Sequence, residues 1–405
     1  MNEQKEQVAV GTPTRFEFPR SRIYSGADAL AGLAEAVHEA GASRVLVVAG
    51  ANVSANLPLR ERVTGNLGAA LAGWFGGVVP YVPEAAVSAA VDLAREVDAD
   101  AIVALGGGSA MDMAKSVVAV LSTNLGVVPF AERYHVRSGP DGVEIPALPD
   151  DVLPVIAIPS TFSGSELNGA SSVLVEGRGR LRLRSLALTP AAVVYDPWVP
   201  LTGPRSVLRS TGINALDHGI EISYARGANT LIRELALASV RVLARALPAL
   251  ADEVPDQAAM IDLQYGGALA ATWMNTILVL ERRGHGLAHA ICHVLGSRHG
   301  MQQGEAHAVM MPFCMRLMAP SVGSAMGELA EALGASTTSG SEADAVIGRF
   351  VEIRDGLGLP SRLRDHLSRS DLEDVAEHTM QDFSTRSAPR TVTLDDVRGI
   401  LDEAW

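Results

Sequence analysis

Residues 44–50, 101–105 and 154–158 read RVLVVAG, AIVAL and PVIAI. Successive side chains of a strand point to opposite faces of its sheet, so runs apolar at nearly every position need cover on both faces. A parallel sheet flanked by helices supplies that cover. The spacing between the runs predicts helices over 27–40, 59–72 and 84–97, with a further strand at 78–82. The run from Ala192 to Pro197 closes the series, giving an open, Rossmann-like α/β sheet. A hairpin is expected from 172–175 and 181–186, and the Gly-, Pro- and Asp-containing stretch 121–153 reads as a long loop.

Beyond Pro204 helical periodicity dominates to Trp405. The 405 residues therefore divide into a loose tail (1–14), an α/β domain (15–204) and a helical domain (205–405). A formal charge of −13 argues against nucleic acid or an anionic membrane as partner. Residues 1–20 show no signal-peptide core, and the longest apolar stretch, 268–280, falls short of the ~20 residues that span a bilayer. With two cysteines, Cys292 and Cys314, no disulfide framework forms, and a cytoplasmic protein is expected.

Chemistry concentrates in four places. Gly106-Gly107-Gly108-Ser109 joins a strand to a helix that carries Asp112, exposing backbone N–H groups at a helix N-terminus suited to a phosphate. The spacing matches neither the P-loop nor the separated-glycine dinucleotide fingerprint. Pro159 to Glu166 follows the next strand, and its hydroxyls, Ser160 and Thr161 among them, suit a cofactor. His289 and His293 lie four residues apart on one helical face, as do Asn214 and His218. A pair of imidazoles on one face suggests metal binding or proton transfer, or else a packing face satisfied by hydrogen bonds.

Gly106–Lys115, Pro159–Glu166, Asp196-Pro197, Thr211–Glu221 and Gly284–Gly296 together resemble, in order and spacing, the iron-containing (group III) alcohol dehydrogenases of the dehydroquinate synthase-like superfamily. Within that family the chain looks most similar to the maleylacetate reductases, in His289–Gly296, Glu305–Ala308 and the ending from Ala388. The resemblance implies NAD(P)H as hydride donor and reduction in the cleft between the two domains. It also implies that a metal, where relatives hold one, sits on an aspartate and three histidines. Those positions here are Asn214, His218, His289 and Gln303, two of them amides. Metal is therefore expected to be absent, with His289 or His293 donating a proton and Asn214, His218 and Gln303 stabilising the developing charge.

His285 and His307 are read as supporting residues. Arg282 and Arg283 stand where relatives carry small apolar residues, either clamping an anionic substrate or forming a solvated cluster. Gly50 takes the place where NAD-selective enzymes carry an acidic side chain, so NADP is expected to serve at least as well as NAD. The chain is thus expected to be a homodimeric reductase of a small, carboxylated carbonyl or conjugated substrate. Rival readings are a metal-dependent alcohol dehydrogenase, an NAD-using synthase or lyase of the same superfamily, and a non-catalytic dinucleotide binder.

Overall fold

The computed structural model describes residue 18 and residues 20–139, 142–253, 255–276, 284–336 and 340–405. The tail expected over 1–14 and the Arg282-Arg283 pair lie outside the described residues. The strands are β1 (Arg22–Ser25), β2 (Val45–Gly50), β3 (Leu71–Val78), β4 (Ala101–Gly106), β5 (Arg137–Gly139), β6 (Gly142–Glu144), β7 (Val155–Pro159), β8 (Ala170–Val175), β9 (Gly179–Arg184) and β10 (Ala192–Tyr195). Six of them form one sheet in the order β1-β10-β7-β4-β2-β3, and every pairing in it is parallel. The pairs β5–β6 and β8–β9 are antiparallel hairpins.

Helices α1 (Leu33–Glu39), α2 (Ala51–Ala55), α3 (Leu57–Leu67), α4 (Glu84–Glu96), α5 (Gly108–Leu121), α6 (Val127–Tyr134) and α7 (Trp198–Leu201) belong to this half. The helical half comprises α8 (Arg205–Ser223), α9 (Thr230–Ala246), α10 (Gln257–Thr272), α11 (Leu287–His299), α12 (Gln303–Met318), α13 (Ala325–Leu333), α14 (Glu342–Gly356), α15 (Leu372–Gln381) and α16 (Leu394–Ala404). None of the described helices is long and apolar enough to cross a membrane.

The period-2 rule decides the core of the α/β half. Leu46, Val48, Ile102 and Ala104 pack with α4 and α5 on one face, while Val45, Val47, Val103 and Leu105 pack with α1 and α3 on the other. Each of these strand residues is fully buried, a gain of about 1.5–3 kcal/mol for every Val, Leu or Ile side chain.

Two expectations shift. The helix expected over 59–72 ends at Leu67, where Gly68 takes φ +51, and the strand expected at 78–82 runs instead over Leu71–Val78. Tyr81 and Val82 have φ of 63° and 51°, values no strand accommodates. The stretch 121–153 also holds structure, α6 and the β5–β6 hairpin. Val127, Phe130 and Ala131 bury one face of α6 at helical spacing.

At the centre of the helical half, α8 is buried on every side from Gly212 to Ser223 and packs against α9, α10 and α12. Its polar residues Asn214, Asp217, His218 and Glu221 are thus held inside the protein, facing α11 and α12.

Candidate active site

One side of the cleft is built by backbone. At the end of β4, Gly106 has φ +146, a conformation that side chains resist, and a Cβ on it would lie 3.0 Å from that of Ala110. The Ser160 amide donates to the Gly106 carbonyl at 2.9 Å, closing the loop after β7 onto this turn. Helix α5 then starts at Gly108 with no side-chain cap. Gly108, Ser109 and Asp112 line a cavity of about 400 Å³ with Ser163, Ser165, Asn214, His218, His285, His293 and Gln303. Gly106, Gly107, Ser160 and Thr161 stand behind that lining, and Gly50 lies at the end of β2, beyond the cavity.

Lys115, fully buried on α5, donates to the carbonyls of Ser165 at 2.5 Å and Ala170 at 3.0 Å, fixing the loop that carries Ser163 and Ser165. Burial pulls its ammonium from 10.5 down to about 8, against the attraction of Asp112 and Glu166. The native state therefore releases this proton first as pH rises. Between about pH 8 and 10.5 the unfolded chain binds more protons, so stability should rise with pH across that window. Relative to Lys115→Met, the wild type should gain on the order of 2–3 kcal/mol there, measured by urea unfolding. A difference that stays constant with pH would contradict this.

One wall of the cavity is cationic. Arg180, Arg182 and Arg184 alternate along β9 and so share a face. Arg180 pairs with Asp112 at 3.4 Å, and Arg182 with Asp382 at 3.2 Å. Arg184 is buried over the Phe383 ring, where burial and then Arg182 pull its guanidinium down to about 9. Across the mouth, the strained Tyr81 donates from its hydroxyl to the Gly296 carbonyl of α11 at 2.9 Å, tying the α/β half to the helical half.

The same cavity is bordered by a cluster of histidines. Helix α11 begins where Glu221 accepts from the Ala288 amide at 2.6 Å and the His289 amide at 3.3 Å. A Cβ on Gly286 would sit 2.4 Å from the Glu221 carboxylate, so that position needs glycine. Glu221 also holds His289 Nδ1 at 2.7 Å. Asp217 Oδ2 lies 3.1 Å from the same nitrogen and 2.7 Å from His307 Nδ1, close contacts without the angles of hydrogen bonds. Burial opposes a charge on His289, but Asp217 and Glu221 outweigh it and push the ring up to about 9. For Asp217 too burial opposes ionisation, yet His307 and His289 hold it well below the usual carboxylate range. Burial and neighbouring imidazoles keep His218 and His285 well below their ordinary value.

His293 is placed differently. Its side chain keeps 20% exposure, lines the cavity, and sets Nδ1 3.1 Å from Asp382 Oδ2. Burial pulls the ring down to about 4, against the support of Asp382.

Of the residues singled out in the sequence, the fold brings Ser109, Asp112, Asn214, His218, His293 and Gln303 to one cavity. His289 stands behind them at 1% exposure, its ring 4.2 Å from that of His285. His285 lines the cavity, more than the supporting place expected of it, whereas His307 is wholly buried. Glu221, Asp217, Asp382, Lys115 and the β9 arginines were not singled out. The i,i+4 pair Asp217–Glu221, one position before an equally spaced His218–Ile222, was the available signal for the first two.

A parallel sheet whose glycine turn faces histidines across an interdomain cleft defines a two-domain dehydrogenase. Residues 19–197 match the family model for iron-containing alcohol dehydrogenase, and residues 209–405 match that for the C-terminal part of the Fe-containing alcohol dehydrogenase family. The chain belongs to the iron-containing alcohol dehydrogenase family and is an NAD(P)-dependent oxidoreductase. It is 30% identical to a maleylacetate reductase of Sphingobium indicum over 384 residues, covering 95% of each chain. It is 29% identical to maleylacetate reductase 2 of Cupriavidus pinatubonensis over 385 residues, 95% of this chain and 94% of the other. The crystal structure of maleylacetate reductase from Rhizobium sp. strain MTP-10005 superposes with a TM-score of 0.78 at 26% identity, covering 98% of this chain and 99% of that one.

The family name implies a metal, and the four family positions are a poor match for one. His218 and His289 offer imidazoles, but Asn214 and Gln303 offer neutral amides, weak ligands for zinc or ferrous iron. Those four positions alone do not fit a tightly held ion.

Proposed function

We propose that the protein reduces a small carboxylated carbonyl or conjugated, maleylacetate-like substrate with NAD(P)H. The observation that carries this reading is the single cavity walled by a glycine turn, by Arg180, Arg182 and Arg184, and by imidazoles. Each wall has a task. The α5 N-terminus takes the pyrophosphate, the arginines draw in carboxylate groups, and hydride passes between them to the substrate carbon. His218 and the amides of Asn214 and Gln303 then face the oxygen that gains charge. His293 relays the proton from solvent, because it opens to the cavity while His289 does not, and its weak hold on a proton makes its imidazolium a strong acid. The same reading makes the protein a cytoplasmic homodimer. Its two cysteines, both buried and unpaired, suit a reducing compartment.

Steady-state oxidation of NADPH and NADH tests the reading. With maleylacetate, kcat/KM should exceed that for an uncharged ketone of equal length by about 100-fold, ~2.7 kcal/mol of transition-state binding. NADPH should serve at least as well as NADH, since Gly50 presents no carboxylate to repel a 2′-phosphate. Equal rates on charged and uncharged substrates would overturn the substrate class. Turnover without net cofactor oxidation would favour a synthase. A preference for NADH of more than about tenfold would overturn the cofactor assignment.

A further inference from the structure

The connection from β3 to α4 runs along the cavity, which Pro80, Tyr81 and Val82 line together with Gly108, Ser109 and His293. Its turn closes where the Val82 amide donates to the Val79 carbonyl at 3.3 Å, with Pro80 second and Tyr81 third. A positive φ at the third place of such a turn normally calls for glycine or asparagine. Here tyrosine takes φ +63, and the β-branched Val82 after it takes φ +51. Backbone held in this region needs support from its surroundings, and it gathers at clamps and switches.

The two residues are supported in different ways. Val82 is 1% exposed, its carbonyl accepts from the Leu174 amide of β8 at 3.0 Å, and Pro83 bridges to Leu174 as well. Val82 is thus fixed to the α/β half. Tyr81 is 38% exposed, and its hydroxyl donates to the Gly296 carbonyl of the helical half at 2.9 Å. That carbonyl lies near the end of α11 and also takes the Gly300 amide at 3.2 Å; one oxygen with two lone pairs serves both. The C-terminal end of a helix carries the negative end of its dipole, which favours a donor there. His293 stands three residues earlier on the same helix.

We propose that Tyr81 is a latch on the cleft. Its bond to Gly296 holds the strap 79–83 against α11, and the strain at Tyr81 lifts the strap once that bond breaks. Tyr81 thereby sets how fast the dinucleotide leaves, and it acts as a positioning residue. A single neutral hydrogen bond suits this task, strong enough to bias the cleft toward closure and weak enough to break on each turnover. The inference rests on the reading that the dinucleotide lies against the α5 N-terminus, and not on the identity of the substrate.

Stopped-flow displacement of bound NADPH by excess NADP⁺, followed by NADPH fluorescence, tests it with no substrate present. Tyr81→Phe keeps the ring and the strain but loses the bond, so release should quicken about three- to tenfold. Tyr81→Ala and Tyr81→Gly both lose the ring, but only alanine resists a positive φ, so the alanine variant should release faster than the glycine variant. Hydrogen exchange on the full-length protein gives a second measurement. In the wild type, bound NADPH should slow exchange at the amides of 79–82 and 297–300 together, and Tyr81→Phe should lose most of that protection. Release from Tyr81→Phe within about 1.5-fold of the wild type, or protection unchanged in that variant, would overturn the latch. Equal release from the alanine and glycine variants would overturn the part given to strain. A wrong substrate class would leave all of these results as they are.

Discussion

Replacing Glu221 with alanine is expected to cost about 3–5 kcal/mol of stability, the range for stripping one partner from a buried charged pair. The carboxylate is 2% exposed and does three things at once. It takes the Ala288 and His289 amides at the start of α11, and it holds the His289 ring. Without it, helix-terminal amides and an imidazole lose their partners in a space water cannot readily enter. The urea midpoint should fall with little change in slope, and kcat should fall with it, because α11 carries both His289 and His293. Glu221→Gln keeps an acceptor for Ala288 but removes the charge, so it should lie between the wild type and the alanine variant. A loss below about 1 kcal/mol in Glu221→Ala would contradict the role assigned to this residue.

His293→Ala is expected to lower kcat about 10²- to 10⁴-fold while leaving the dissociation constant of NADPH within about twofold, the range for a lost acid–base group. The ring lines the cavity, and the phosphate site proposed at the α5 N-terminus is made of backbone that this substitution leaves in place. Asp382→Asn should lower kcat less, since Asp382 orients the ring through Nδ1 and supports its charge but does not itself pass the proton on. Added imidazole should restore part of the activity of His293→Ala and none of that of a variant damaged elsewhere. Stopped-flow measurement of single turnovers separates the chemical step from product release. A drop of less than about fivefold in that step would remove His293 from the reaction.

The strands β2, β4 and β7 were legible because their environment is uniform: apolar on both faces, with helices on each side. The strand β3 was not, because LAGWFGGV carries three glycines and is only partly buried, so it shows neither an unbroken apolar run nor alternation. Its pairing with β2 makes it a strand, and local sequence does not encode that partner. The same division runs through the site. His218, Asn214 and the glycine turn sit in short motifs and were legible. Asp382 reaches His293 across 89 residues, and Arg182 reaches Asp382 across 200. The alternating arginines of β9 read locally as the wet face of a hairpin. Only the packing of that hairpin against the helical half turns them toward a cavity.

Asp382 accepts from Arg182 of the α/β half and contacts His293 of the helical half through the same oxygen, Oδ2. One negative charge is thus divided between two claimants on separate bodies. Any rotation that parts the two halves withdraws Arg182 and leaves the whole charge to His293, so an opened cleft grips a proton on that ring more tightly than a shut one. By reciprocity, a protonated ring favours opening and a neutral ring favours closure. Closure therefore strengthens the acid: a proton taken up in the open posture is given up more readily to the substrate once Arg182 returns.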